Sequence, residues 1–286
     1  MLASMVRKQN NFATLRRSLG SFACAALLGM SAPVAAFTPS GDFAEVFQVT
    51  LLPGWRATPE RHISAIRVEL APGWKTYWRA PGDGGIPSQF DWSQSDNVAA
   101  ADVIWPRPTV FRDHGMRSIG YVNEVIVPVE VTPAQPGDMS VHLELRFGIC
   151  KEVCLPANVT LSGTLSEAAS DPVSEITEAI ALRSQDAQDV GFGLVDCRII
   201  DTENGYQIEV ELDAPQLPGI GEAMVVEAAD PTTWVSEPEF QRVGTQISAV
   251  SDLVPVEDGT APDPSSMRFT LITSETTVEK TGCDSF

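Results

Sequence analysis

The segment Val141-His142-Leu143-Glu144-Leu145-Arg146-Phe147 alternates apolar and polar side chains without a break and stops at Gly148. A period of two puts the odd-numbered side chains on one face of an extended chain, so this segment predicts a half-buried strand rather than a helix. The same period recurs where Ile66, Val68 and Leu70 interleave with Arg67 and Glu69, and again in Val125, Val127, Val129 and Val131. Val159, Leu161 and Leu165 supply the next run. Further on, Tyr206, Ile208, Val210 and Leu212 alternate with Gln207, Glu209, Glu211 and Asp213, and residues 224–228 and 267–271 add later strand candidates. Twenty-one glycines and twenty-one prolines in 286 residues favour many short elements over a few long helices. The expected fold is all-β, with two sandwiches burying their apolar faces.

Between the two β regions, Asp171-Pro172 has the form of an N-cap followed by proline at the first helical position. Val173, Ile176 and Ile180 then make a short apolar stripe, so a helix over 171–188 is expected within a connector. Residues 255–266, rich in proline, aspartate and serine, read as an exposed loop. The expected organisation is a leader at 1–36, a first sandwich at 37–168, the connector at 169–190 and a second sandwich at 191–286.

The leader reading rests on Arg7, Lys8, Arg16 and Arg17, an apolar stretch from Leu19 to Met30, and small residues at Val34-Ala35-Ala36. That is the form of a cleaved secretory signal peptide. Cleavage would leave 250 residues at a formal charge of -23 and remove Cys24. No later segment approaches the roughly 20 consecutive apolar residues of a spanning helix, so the expectation is a soluble exported protein. Its acidity excludes the phosphate backbone of nucleic acid as a general partner.

Four cysteines then remain, an even number in an oxidising compartment. Cys150 and Cys154 are separated by three residues, whereas Cys197 and Cys283 bracket most of the second β region. Loop-closure entropy gives about 2 kcal/mol for the short pair and about 4.6 kcal/mol for the long one, which makes Cys197 and Cys283 the better structural staple. Three readings of the short pair stand: a local structural disulfide, an exchanging redox pair, or two thiolates for Cu(I) with His114 and Met116 nearby. His62 and His142 show no metal-ligand spacing, and neither a metal nor another cofactor is assigned.

A longer pattern includes these cysteines. It runs Gly73-Trp74-Lys75-Thr76-Tyr77-Trp78-Arg79-Ala80-Pro81-Gly82-Asp83-Gly84-Gly85, Trp105-Pro106, Gly120-Tyr121 and Gly148-Ile149-Cys150-Lys151-Glu152-Val153-Cys154-Leu155-Pro156. Over residues 45–165 this resembles the N-terminal periplasmic domain of DsbD-type thiol:disulfide interchange proteins, nearest the suppressor-of-copper-sensitivity branch. The resemblance implies an immunoglobulin-like domain in the periplasm that exchanges disulfides with thioredoxin-like or disulfide isomerase proteins. It also implies that Cys154 enters the mixed disulfide and Cys150 resolves it. Complete relatives continue into a multispanning membrane segment and a thioredoxin-like domain, neither of which is legible here, which leaves two options: a separate membrane protein as electron donor, or a module that serves as a disulfide-exchange adaptor, a copper-tolerance component or a structural relative. The alternative is a noncatalytic sandwich that binds a partner or copper.

Trp74, Tyr77 and Trp78 read either as core aromatics of a strand or as a cap and partner-facing rim beside the cysteines. Tyr121 carries the same two readings. Residues 81–85 should turn sharply, because proline fixes one backbone angle and the glycines allow positive ones; Asp83 is a turn former there or a group that orients a proton donor. Lys151 would favour a neighbouring thiolate and Glu152 would oppose it.

Overall fold

The computed structural model describes residues 36–37, 45–113, 115–256 and 261–286. The leader stretch before residue 36, Cys24 and His114 lie outside them. In the first half the strands are β1 (Ala36–Phe37), β2 (Phe47–Thr58), β3 (Arg61–Leu70), β4 (Lys75–Tyr77), β5 (Gln89–Asp91) and β6 (Val98–Val103). They continue as β7 (Thr109–Asp113), β8 (Met116–Val122), β9 (Glu124–Pro133), β10 (Met139–Cys150) and β11 (Cys154–Leu165). One sheet has the order β1-β2-β3-β9-β6; the other runs β11-β10-β4-β8-β7, with β5 also paired to β10. All their pairings are antiparallel.

The alternation is what closes this sandwich. Val141, Leu143, Leu145 and Phe147 of β10 are buried against Val49, Leu51, Ile66, Val68, Val127 and Val129 from the facing sheet. Each such side chain stabilises the fold by about 1.5–3 kcal/mol relative to exposure. The outer face of the β2-β3-β9 sheet is apolar as well, at Leu52, Ile63, Ala65 and Ile126, because a helix covers it. That helix, α1, spans Ser174–Ala181 and buries Ile176 and Ala179. It is shorter than the sequence pattern implies. Val173, not Asp171, is its N-cap, with no side-chain cap bond; the chain then pairs at Gln185–Asp186 and makes one 3-10 turn at Ala187–Val190.

The second half comprises β12 (Gln185–Asp186), β13 (Val195–Thr202), β14 (Gly205–Asp213), β15 (Ala223–Glu227) and β16 (Trp234–Val235). β17 (Glu239–Val243), β18 (Gln246–Val254), β19 (Arg268–Ile272) and β20 (Thr277–Thr281) complete it. Its sheets are β12-β20-β19-β15 and β13-β14-β18-β16, with β17 on β18. Ile208, Val210, Leu212, Met224, Val226, Phe269 and Leu271 fill the space between them. Cys197 of β13 is disulfide-bonded to Cys283, just past β20, so the long bridge joins the two sheets. Asp263 caps the 3-10 turn at Pro264–Ser266 inside the stretch read as a loop, and 257–260 lie outside the described residues.

The β12-β20-β19-β15 sheet is covered on both faces. Met224 and Val226 enter the second core, while Val225 and Ile272 belong to the first half's core. That explains why residues 223–226 read as an unbroken apolar run instead of an alternation. The all-β, immunoglobulin-like expectation therefore holds, with the two sandwiches sharing apolar packing across this sheet. Among the described residues no helix is long and apolar enough to cross a membrane.

Candidate redox site

Cys150 and Cys154 are the last cross-strand pair of the β10–β11 hairpin, and they are disulfide-bonded with Cα atoms 4.1 Å apart. The two sulfurs have different surroundings because their strands do. β10 lies inside its sheet, where Cys150 also pairs with Lys75 of β4, and Cys150 is only 6% exposed. β11 is the edge strand, and Cys154 is exposed together with Lys151, Glu152 and Val153 of the connecting turn. Thr76 Oγ1 donates to Gly148 O at 2.8 Å, tying β4 to the base of the hairpin.

Tyr77 reaches across from β4. Its side chain is buried at 1% exposure, yet its hydroxyl is 3.1 Å from Cys154 Sγ and 3.1 Å from Gly84 O. Two glycines make room for its ring. A Cβ on Gly85 would sit 2.9 Å from Tyr77 Cδ1, and one on Gly148 would sit 2.9 Å from Cδ2. Residues 81–85 form the sharp turn that the proline and glycines imply, with Gly85 N donating to Gly82 O and Gly82 at a φ of 74°. The turn brings Gly84 O to 3.9 Å from Cys154 Sγ, so it covers one side of that sulfur.

The other singled-out residues are placed differently. Asp83 is exposed at the tip of the turn, and its charge acts on Arg117. Trp78 is fully buried under the Arg79 guanidinium, which lies 4.2 Å from its ring centroid. Tyr121 is buried and donates to Pro106 O at 2.7 Å, and burial raises its pKa well above the ordinary phenol value. Trp74 is half-buried against the core. Lys151 Nζ is 3.4 Å from Pro72 O. Met116, 55% exposed, lies beside Gly84, where an added Cβ would be 3.7 Å from Met116 Cβ. Among the described residues no three His, Cys, Asp or Glu side chains converge in a metal-holding group.

Two contributors escape a sequence reading. The Gly84 carbonyl is a backbone group whose position only the turn reveals, and Arg79 carries no motif of its own. A charge lodged among Trp74, Tyr77 and Trp78 is the signal that marks Arg79.

The arrangement can carry out one kind of chemistry: a disulfide with one accessible sulfur, one shielded sulfur and a hydroxyl donor at the accessible one can exchange with another dithiol. The fold is also that of the N-terminal periplasmic domain of ScsB from Proteus mirabilis, at a TM-score of 0.64 and 21% sequence identity, covering 88% of this chain and 99% of that one. No curated protein is significantly similar to the chain. Residues 48–166, which hold both cysteines of the hairpin, Tyr77 and the covering turn, match the family described as thiol:disulfide interchange protein DsbD, N-terminal, so this stretch of the chain is a domain of that family.

Proposed function

We propose that this chain is a periplasmic thiol–disulfide exchange module whose active pair is Cys150 and Cys154 and whose partners are thioredoxin-like or disulfide isomerase proteins. The observation that carries this reading is the unequal exposure of the two cysteines: Cys154 is exposed on an edge strand, with the 81–85 turn on one side of its sulfur, and Cys150 is buried. The leader-like first 36 residues and the periplasmic origin of the ScsB relative support the location.

Reduction begins when a donor thiolate attacks Cys154 Sγ. A donor–Cys154 disulfide forms, the Cys150–Cys154 bond breaks, and Cys150 leaves as a thiolate that takes up a proton. The donor's second thiolate then attacks its own bridging sulfur and releases Cys154 as a thiolate, so two electrons have passed and the donor is left as a disulfide. In the other half of the cycle the Cys154 thiolate attacks an oxidised partner, and Cys150 resolves the mixed disulfide. Tyr77 serves both halves. Its hydroxyl proton rests on Gly84 O while the sulfur is in a disulfide and turns to Cys154 when that sulfur carries negative charge, a hydrogen bond worth more for its charged acceptor.

Trapping tests both the chemistry and the order. Cys150→Ser should accumulate a mixed disulfide through Cys154 with an oxidised thioredoxin-like protein, and Cys154→Ser should accumulate none. Trapping through Cys150 alone would reverse the order. If neither variant traps a partner while both remain folded, the pair is a structural disulfide.

A further inference from the structure

Arg79 leaves the end of β4 two residues after Tyr77 and crosses into the second half. Its Nε and Nη2 each lie 2.9 Å from one carboxylate oxygen of Glu227, Nη2 is 3.4 Å from Thr270 Oγ1, and Nη2 also pairs with Glu279. Glu227, Thr270 and Glu279 come from β15, β19 and β20. The register puts them on one face of that sheet, the face that buries Val225 and Ile272 in the first half's core. Burial works against the charge on Arg79, but hydrogen bonds and charge from Glu227 and then Glu279 more than offset it, so its pKa is raised.

Arg117 makes a second tie, from β8. Its side chain is 4% exposed, with Nη1 donating to Met224 O at 2.7 Å and Nε 3.5 Å from Glu237. The backbone of the same residue holds the covering turn. Gly84 N donates to Arg117 O at 3.3 Å, Ile119 N donates to Pro81 O at 2.9 Å, and a Cβ on Gly82 would come within 2.8 Å of Arg117 O. One residue therefore binds the second half with its side chain and the turn over Cys154 with its carbonyl.

We infer that the second β half is the support for this cover: Arg79 and Arg117 are positioning residues that fix Tyr77 and the 81–85 turn against Cys154 and so set how fast a thiol reaches that sulfur. Neither arginine is placed on the sulfur itself. The inference rests on the reading of Cys150–Cys154 as the exchanging pair, and its test separates the two.

The test uses the full-length oxidised protein, wild type, Arg79→Gln and Arg79→Lys. Dithiothreitol reduction of each disulfide is followed by alkylation and mass mapping, beside thermal melts. Removing one side of a partly buried ion pair favours local opening, so Arg79→Gln should speed reduction of Cys150–Cys154 about tenfold and leave Cys197–Cys283 at its wild-type rate. Arg79→Lys, which keeps the charge without the bidentate fork, should fall between. An unchanged Cys150–Cys154 rate, or equal acceleration of both disulfides, would overturn the positioning role. Glu227→Gln gives the same comparison should Arg79→Gln not fold. If the wild-type pair is reduced by dithiothreitol but never by a thioredoxin-like dithiol, the exchange reading fails while the Arg79 comparison still decides this inference.

Discussion

At the scale of single residues, Tyr77 is the side chain through which the fold touches the chemistry. Replacing it with phenylalanine keeps the ring in its slot between Gly85 and Gly148 and removes only the hydroxyl beside Cys154. A hydrogen bond to a charged group contributes about 1.5–3 kcal/mol, or roughly one to two pKa units on the thiol that accepts it. In reduced Tyr77→Phe the pH midpoint for alkylation of Cys154 should rise by about one unit, and the neutral-pH rate should fall about tenfold. An unchanged midpoint would show that the hydroxyl serves the Gly84 carbonyl alone. His62 bears on pH in another way. It is fully buried, and its Nε2 donates to Pro53 O at 2.6 Å. Burial lowers its pKa, the bond to Pro53 opposes this, and the charge of Arg56 lowers it further. Unfolded histidine titrates near 6.5, so the folded state is favoured in full above about pH 6.5 and loses that advantage as pH falls toward the depressed folded value. The melting temperature should drop as pH falls below about 6.5, and His62→Gln should flatten the drop.

At the scale of elements, strands that face water on one side were legible and strands that do not were less so. Val141 to Phe147 showed both its conformation and its buried face because the pleat writes a period of two directly into the sequence. The short strands β5 and β6 have no comparable pattern: Val98–Val103 is VAAADV, and its pairing to β9 carries an irregularity. The helix was visible in the spacing of Val173, Ile176 and Ile180, but its ends were not, since they depend on docking over Leu52, Ile63 and Ala65 and on the pairing of Gln185 and Asp186 with β20. Of the site, the cysteine hairpin and its glycine-rich cover could be read from residues close in sequence. The unequal burial of the two sulfurs could not, because it follows from which strand ends up at the sheet edge. Docking makes Ile176 the residue on which α1 depends. Ile176→Ala should cost about 2–5 kcal/mol in a denaturant titration, the usual range for emptying a buried isoleucine site.

At the scale of the whole molecule, the seam between the halves was the least legible feature. Arg79, Glu227 and Glu279 are distant in sequence, and nothing local marks the two glutamates as partners of a partly buried arginine. The seam nonetheless has the composition of an interior. Val225 and Ile272 sit in the first half's core while their neighbours on the same strands, Val226 and Leu271, sit in the second. One sheet serving two cores cannot lose either without exposing apolar surface to water. The halves should therefore unfold together, in one calorimetric transition whose van't Hoff and calorimetric enthalpies agree. Ile272→Ala, which empties the seam without touching either disulfide, should lower that transition or split it in two. At roughly 2 to 4 °C per kcal/mol for a chain of this size, a cost of about 2–5 kcal/mol is readily measured. Two transitions in the wild type would mean that the halves melt independently, and a support that melts away first could not hold Tyr77 and the turn over Cys154.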